Sequence, residues 1–200
     1  MSKAFVFDLD GVIRHWDPDI VRYAERTRGL PEGALFGVAF EPDVLLRAVT
    51  GEISDDVWRE EVTRRLQAKY PQSDAAGAVA SWSDPVGEVI EGSLEVLAMA
   101  RRFGPVCLLS NATSRLESDL AALGLEDAFD HIFNSSRIGY AKPDQRVFAH
   151  IEQSLDVDPG QIIYVDDGPA NVESASDRGW ISLFAAPETL LADLLAPHLR

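Results

Sequence analysis

The sequence predicts an α/β fold built on a doubly wound parallel sheet, and three observations support this prediction. First, three apolar runs end directly in polar residues, as strands buried on both faces of a sheet do; they are Ala4–Phe7, residues 105–109 and residues 162–165. Second, helical patterns separate these runs, which is the alternation of a parallel sheet. Third, shorter runs at residues 132–134 and 180–184 supply two further strands.

The segment after the first strand has a helical pattern from Val12 to about Val86. A connection of this length is either an inserted helical domain or a very elaborate crossover, and we favour the inserted domain. We therefore predict a core domain of residues 1–13 and 87–200, with a helical domain of residues 14–86 inserted in it. The helices predicted in the insertion, and the helix that then returns to the sheet, cover residues 18–29, 42–50, 54–70, 74–83 and 94–103.

The remaining core helices carry start and stop signals. Residues 114–117 have the sequence Ser-Arg-Leu-Glu of a capping box, and Gly124 is predicted to stop the helix that follows. Pro143 and Pro169 each suit the first position of a helix, where a missing N–H has no effect. Gly179 suits the left-handed residue after a helix. These signals place one helix before each of the last three strands.

The charge balance limits the partners of the protein. The 200 residues include 18 Lys and Arg against 33 Asp and Glu, a formal net charge of −15, and a hydrophobic fraction of 46% typical of a folded domain. This charge disfavours binding to nucleic acid or to an anionic membrane. A small phosphorylated ligand stays compatible with it, because a bound cation reverses the potential locally. The composition and the net charge indicate no particular oligomeric state.

Three observations predict a cytoplasmic protein. Cys107 is the only cysteine, so no intramolecular disulfide can form, and no oxidising compartment is needed. The apolar run at Ala4–Phe7 is too short for the core of a signal peptide. In addition, no apolar run approaches the roughly 18 residues that a membrane span requires.

Polar side chains follow the three buried strands at the point where each strand ends. In an open parallel sheet, the ligand site lies beyond the carboxyl ends of the strands. Four carboxylates would then share a small volume, which requires either a proton or a bridging cation. Hard oxygen ligands favour Mg²⁺, so the sequence predicts a magnesium site there. The residues expected to converge are Asp8, Asp10, Ser110, Asn111, Asp166 and Asp167.

Four short motifs occur in a characteristic order along the chain. They are Asp8-Leu9-Asp10-Gly11-Val12, Ser110-Asn111, Lys142-Pro143 and Asp166-Asp167. In this order and structural context they resemble the four motifs of the haloacid dehalogenase (HAD) superfamily, most of whose members are phosphotransferases. The resemblance covers residues 1 to about 12 and about 87 to 200. That superfamily places a helical cap of the first type after the first motif, where the predicted insertion lies.

The resemblance implies a role for each catalytic residue. Asp8 is similar to the nucleophile that attacks phosphorus and forms an aspartyl-phosphate. Asp10 corresponds to the general acid and base, which protonates the leaving alcohol and later accepts a proton from water. Lys142 is expected to neutralise the negative charge on the phosphate and on Asp8.

The resemblance also implies how phosphate and Mg²⁺ are held. The Ser110 hydroxyl and the Asn111 backbone N–H are expected to donate to phosphoryl oxygens, while Gly11 lets the backbone turn sharply beside them. Mg²⁺ is expected on the side chain of Asp8, the backbone carbonyl of Asp10 and an acid of the fourth motif. Within that motif we expect Asp167 to bind the metal directly, and Asp166 to act through water or as support.

The function expected from this resemblance is a Mg²⁺-dependent phosphatase acting on a small phosphorylated metabolite, such as a sugar phosphate. A haloacid dehalogenase of the same superfamily is one alternative, although Asp10 argues against it. A phosphomutase is another. A non-catalytic phosphoacceptor or binding module is the alternative from a different class.

Several aromatic residues lie in or beside the insertion. Arg14, His15 and Trp16 follow the first motif, and Trp16 is expected to pack between the two domains, with contact to the substrate as the alternative. The other aromatic side chains are expected to form the core of the insertion, with a position facing the substrate as the alternative. These are Phe36, Trp58, Tyr70 and Trp82.

Overall fold

A computed structural model describes residues 3–199 and confirms the α/β fold. Residues 1, 2 and 200 of the predicted core domain lie outside the described residues. The strands are β1 (Ala4–Phe7), β2 (Arg14–His15), β3 (Glu88–Val89), β4 (Val106–Ser110), β5 (His131–Asn134), β6 (Ile162–Asp166) and β7 (Ile181–Phe184). Five of them form a parallel sheet in the order β5–β4–β1–β6–β7.

Strand β1 lies at the centre of this sheet, and its register determines where the polar residues emerge. Phe7 pairs with Leu108 of β4 on one side and with Val165 of β6 on the other. The three strands therefore end at the same edge. Because the residues after them point past this edge, Asp8 and the carboxyl ends of β4 and β6 meet there.

Helices cover both faces of the sheet, and a second group of helices forms the insertion. They are α1 (Pro18–Thr27), α2 (Ala34–Ala39), α3 (Pro42–Val49), α4 (Asp55–Lys69), α5 (Ala75–Ser83), α6 (Ser93–Ala100), α7 (Leu116–Ala122), α8 (Ser135–Ile138), α9 (Gln145–Leu155), α10 (Pro169–Ser176) and α11 (Leu191–Leu195). Side chains alternate along β1, so Phe5 and Phe7 pack with α6, α7 and α11, whereas Val6 packs with α9 and α10. This two-sided burial explains why the strand sequences are continuously apolar.

Helices α1 to α5 share a hydrophobic cluster of their own, separate from the two clusters on the sheet. Helix α2 was not predicted, because it is short and contains Gly37. The buried carboxylate of Glu25 stabilises its start by accepting hydrogen bonds from the backbone N–H groups of Gly33 (2.9 Å) and Leu35 (2.8 Å). The two ends of the insertion are joined by an unpredicted antiparallel ribbon, in which β2 pairs with β3.

Two of the helix starts differ from the prediction. Helix α7 has no side-chain cap, so the capping box at residues 114–117 is wrong; Ser114 Oγ instead accepts a hydrogen bond from the Asp55 backbone N–H of the insertion (3.0 Å). Pro143 follows a cis peptide bond and precedes α9, which is capped by Asp144. Helix α10 does begin at Pro169, as predicted.

The two glycine predictions are confirmed, because Gly124 and Gly179 both have the positive φ of the left-handed region, +69° and +88°. Within residues 3–199, no helix combines the length and the apolar character that crossing a bilayer demands.

Candidate active site

A buried lysine forms the centre of the site. Lys142 Nζ lies 2.9 Å from Asp8 Oδ1 and 2.6 Å from Asp166 Oδ2, and it donates a third hydrogen bond to the Leu109 carbonyl (3.1 Å). Its side chain is only 1% exposed. An ammonium group has three donors, so each one has a partner in this arrangement. Lys142 thereby connects the carboxyl ends of β1, β4 and β6.

The neighbours of Asp8 set the protonation of its carboxylate. Burial, together with the negative charges of Asp166 and Asp10, raises the pKa of Asp8 to about 7, although Lys142 acts in the opposite direction. Burial also opposes the charge on Lys142, but the charges of Asp8 and Asp166 outweigh it and raise the pKa of the lysine. The site therefore disfavours a further negative charge unless another cation is present.

Asp166 is held in one orientation by hydrogen bonds to both of its oxygens. Oδ1 accepts from the Gly168 backbone N–H (2.7 Å) and from Asn171 Nδ2 (2.9 Å). Oδ2 accepts from Lys142 and from the Tyr164 hydroxyl. Burial by itself would raise the pKa of Asp166, but these partners, led by Lys142, lower it. Asp166 therefore remains ionised and serves as the fixed counter-ion of Lys142.

Three carboxylates at this edge are close enough to hold one metal ion. Oxygen atoms of Asp8, Asp166 and Asp167 lie within 4.8 Å of one another. Partial burial of its carboxyl group and the charge of Asp166 raise the pKa of Asp167, although the residue as a whole is exposed. An all-oxygen set of closely spaced carboxylates suits Mg²⁺, which prefers oxygen ligands and keeps several waters. The residues present therefore fit the predicted ion.

Asp10 points to a different set of partners. Its carboxylate accepts two hydrogen bonds from Arg14, at 2.7 and 3.1 Å, and one from Trp16 Nε1 at 2.8 Å. The group of three carboxylates does not include its side-chain oxygens. Arg14 is buried and also reaches Asp119 (3.3 Å) and the Val86 carbonyl (3.3 Å). Asp10 thus lies at the junction between the sheet and the insertion.

The partnership of Arg14 with Asp10 was missed in the sequence. It arises because the chain turns back after β1, where the N–H groups of Ile13 and Arg14 both donate to the Leu9 carbonyl. A basic residue four positions after an acid was the available signal, but such spacing is informative only on a helix.

Gly11 lies directly against Asp167. A Cβ atom at this position would be 2.1 Å from Asp167 Oδ2, and the backbone φ of +78° is one that side chains rarely adopt. Glycine is therefore required here for two reasons, the sharp turn and the close approach of the carboxylate. The sharp turn expected at Gly11 is therefore present, and the residue also lies against Asp167.

Ser110 and Asn111 end strand β4 beside Lys142. Ser110 is buried, and the Asn111 side chain forms two reciprocal bonds with the Lys142 backbone: Oδ1 accepts from its N–H and Nδ2 donates to its carbonyl, both at 2.8 Å. This clamp fixes the start of the lysine side chain. The sequence suggested only a backbone contact for Asn111, because nothing in the spacing connects residues 31 positions apart.

A cavity of about 330 Å³ opens between the sheet edge and the insertion. Asp10 and Asn111 line it on the side of the sheet, and Phe36, Trp58 and Trp82 line it on the side of the insertion. Trp16 also lines it, so the side chain both contacts Asp10 and lies between the two parts of the chain. The cavity therefore adjoins the residues at the ends of β1 and β4.

Comparison with known proteins supports the resemblance. D-ribitol-5-phosphate phosphatase of Bacteroides thetaiotaomicron is 24% identical over 188 residues, which cover 90% of each chain. A crystal structure of a HAD family enzyme from the same organism, in complex with magnesium and inorganic phosphate, superposes with a TM-score of 0.78 at 20% identity and covers 97% of this chain and 99% of that one. It shows the same fold.

Bifunctional epoxide hydrolase 2 of Rattus norvegicus is 23% identical over 198 residues, covering 90% of this chain and 36% of that protein. The chain spans between about a third and a half of the length of several of the curated relatives that it matches. Residues 2–179 match the profile of the haloacid dehalogenase-like hydrolases. Because this match extends over most of the 200 residues, the chain belongs to the haloacid dehalogenase-like hydrolase family.

Proposed function

We propose that the protein is a Mg²⁺-dependent phosphatase that hydrolyses a small phosphomonoester through an aspartyl-phosphate. The observation that carries this proposal is the contact of the Asp8 carboxylate with a buried lysine, close to the carboxylates of Asp166 and Asp167. The names of two relatives, D-ribitol-5-phosphate phosphatase and validoxylamine A 7'-phosphate phosphatase of Streptomyces hygroscopicus, agree with it.

In the first step, a carboxylate oxygen of Asp8 attacks phosphorus, and the bond from phosphorus to the alcohol oxygen breaks. Lys142 lies 2.9 Å from Asp8, so its charge orients the nucleophile and offsets the charge of the entering phosphate. Ser110, the last residue of β4, and the backbone N–H of Asn111 after it would donate to phosphoryl oxygens.

Asp10 transfers the protons. In its protonated form Asp10 would donate a proton to the alcohol oxygen as that group leaves. The carboxylate that remains, which is the form bonded to Arg14 and Trp16 in the structure, would then accept a proton from the water that attacks phosphorus and breaks its bond to Asp8. The hydrogen bonds from Arg14 and Trp16 hold Asp10 at the mouth of the cavity, on the side where the leaving alcohol would lie.

Asp8, Asp167 and the backbone carbonyl of Asp10 would hold Mg²⁺, which when bound offsets the charge of the carboxylates and of the phosphate. Asp167 is the better direct ligand within its motif, because all the acceptor positions of Asp166 already have donors. The helical insertion would then serve as the cap, covering the cavity and limiting the access of bulk water.

The proposal is tested by measuring phosphate release from sugar phosphates, nucleoside monophosphates and phosphorylated acids. We expect turnover with Mg²⁺, loss of turnover in EDTA, and recovery when excess Mg²⁺ is added. Heavy-oxygen water should label the released phosphate, which a phosphomutase would not do. Chloride release from haloacids without added Mg²⁺, or a long-lived phosphorylated protein that never turns over, would contradict the proposal.

Replacing Gly11 with Ala should weaken Mg²⁺ binding, because the new methyl group displaces the Asp167 carboxylate. The Mg²⁺ concentration for half-maximal activity is expected to rise roughly 10- to 100-fold, the usual effect of disturbing a metal ligand's surroundings. Because Ala adopts this positive φ less readily than Gly, the substitution should also lower the free energy of unfolding by roughly 1 kcal/mol.

Gly33→Ala is the matched control, since Gly33 has the same φ of +78° but nothing within 4 Å of the added Cβ. It should show the loss of stability with an unchanged Mg²⁺ requirement. An equal Mg²⁺ requirement in the two variants would show that Asp167 takes no part in binding the ion.

A further inference from the structure

We infer that the alcohol part of the substrate is an aromatic or similarly apolar group, rather than a sugar or a polyol. This inference rests on the proposed phosphatase function and concerns the cavity beside Asp10. It differs from the sugar phosphate that the sequence suggested. Three features of the cavity support it: the rings that line it, the partners of its charged groups, and its position relative to Asp10.

The wall formed by the insertion is aromatic. The ring centres of Phe36 and Phe40 are 5.0 Å apart, those of Phe36 and Trp82 are 6.4 Å apart, and those of Trp82 and Trp58 are 5.5 Å apart, all in edge-to-face geometry. Phe36 and Phe40 remain 45% and 48% exposed although they belong to this cluster. Both residues line a cavity of small-molecule size, which favours an apolar ligand.

The charged side chains of the lining already have partners within the protein. Asp10 is bonded to Arg14 and Trp16, as described above. Asp55 Oδ2 lies 2.6 Å from Arg59 Nε, and its Oδ1 accepts a hydrogen bond from the Thr113 hydroxyl at 2.7 Å. Asp10 is thus offset by Arg14 and Asp55 by Arg59, while Asp17, which also lines the cavity, accepts a hydrogen bond from the Asp19 backbone N–H at the start of α1.

Asp119 is similarly occupied, because its Oδ1 accepts from Arg115 Nε at 2.6 Å and its Oδ2 from Arg14 Nη1 at 3.3 Å. Arg115 also donates to the Ser83 carbonyl. The hydroxyl groups of a sugar would lose their bonds to water on entry and would have to compete for these paired groups. Unpaired polar groups are unfavourable in a closed site, whereas a ring gains contacts there.

The position of the cavity makes this surface relevant to the leaving group. Asp10 and Asn111 line the cavity, and Asp10 is the proposed proton donor to the alcohol oxygen. An alcohol oxygen beside Asp10 would therefore direct the carbon skeleton toward Phe36 and Trp82. The volume of about 330 Å³ limits this skeleton to a small group.

The test compares benzyl phosphate with glycerol 3-phosphate and a hexose 6-phosphate, in the presence of Mg²⁺. All three esters are formed from primary alcohols, so differences in leaving-group reactivity are small. We expect kcat/KM for benzyl phosphate to be higher by roughly tenfold or more, the gain expected from burying a phenyl ring, with most of the difference in KM.

Phe40→Ser should remove most of this preference by raising the KM for benzyl phosphate, while kcat/KM for glycerol 3-phosphate stays within about twofold. Tyr23→Ser is the matched control, because Tyr23 is an exposed aromatic residue of the same insertion that does not line the cavity. It should leave the preference unchanged.

A binding measurement separates this inference from the proposed function. Trp16, Trp58 and Trp82 line the cavity, so benzylphosphonate should change the tryptophan fluorescence and bind roughly tenfold tighter than methylphosphonate. Tighter binding without hydrolysis of any ester would support the inference and contradict the phosphatase proposal. Hydrolysis of the hexose phosphate as efficiently as benzyl phosphate would overturn the inference and leave the phosphatase proposal intact. Equal binding of the two phosphonates would also overturn the inference.

Discussion

Asp8→Asn is expected to lower kcat by roughly a thousandfold or more, because an amide cannot attack phosphorus and is a poor ligand for Mg²⁺. The fold should be retained, since the two side chains have nearly the same shape. Phosphate release with Mg²⁺ present and circular dichroism of the purified variant measure these two effects.

The same substitution should not destabilise the metal-free protein. The folded state raises the pKa of Asp8 from 3.8 to about 7, so folding favours the protonated carboxyl group. Its contribution to stability is therefore present below about pH 4 and is lost as the pH rises to 7. The neutral Asn removes this dependence. In EDTA, the melting temperature should fall less between pH 5 and pH 8 for the variant than for the wild type.

Asp156→Asn is the control for this experiment. Asp156 ends helix α9 on the side of the sheet where β6 begins, away from the site, and its φ of +50° is one that Asn tolerates. Asp156→Asn replaces an acid with an amide, as Asp8→Asn does, and should retain full activity. If Asp8→Asn keeps more than a tenth of the wild-type activity, Asp8 is not the nucleophile.

Lys142→Met should have the second largest effect, because it removes the cation between two buried carboxylates. We expect kcat/KM to fall by roughly 10²- to 10³-fold, the usual effect of deleting a charge-stabilising group. The free energy of unfolding should fall by about 3–5 kcal/mol, since Asp8 and Asp166 are left without their shared partner. Denaturant unfolding measures the second effect.

The double variant Asp8→Asn/Lys142→Met addresses the case in which Lys142→Met is too unstable to purify. It removes one of the two orphaned carboxylates, so it should recover part of the lost stability without recovering activity. Lys69→Met, at the exposed end of α4, should change stability by less than about 0.5 kcal/mol. A double variant no more stable than Lys142→Met would contradict the electrostatic explanation.

The sheet could be predicted from the sequence because burial on both faces leaves a simple signal. The three central strands β4, β1 and β6 are short, fully buried apolar runs with polar residues at their carboxyl ends, which the register brings to one edge. The edge strands β5 and β7 are partly exposed and mix polar with apolar residues, so their signal is weaker. The meeting of Asp8 and Asp166 was predictable for the same reason, whereas Lys142 was expected beside them only from the resemblance of the four motifs.

The features that the sequence did not predict depend on contacts between distant segments. Ser114 has the pattern of a helix cap, but its hydroxyl bonds to the backbone of Asp55 instead. Asn111 clamps the Lys142 backbone, and Arg14 holds Asp10 only because the chain turns back after β1. Local propensity cannot indicate such contacts, since they are determined by the way the insertion and the sheet pack together.

The ribbon of β2 and β3 has a consequence for the evolution of this protein. It places the chain that enters the insertion next to the chain that leaves it, at the spacing of paired strands, about 5 Å. One helical insertion can therefore be exchanged for another at this ribbon without changing the connectivity of the sheet or moving the residues at its edge. Such an exchange would give a descendant protein a new substrate while the reacting residues at the sheet edge stay the same.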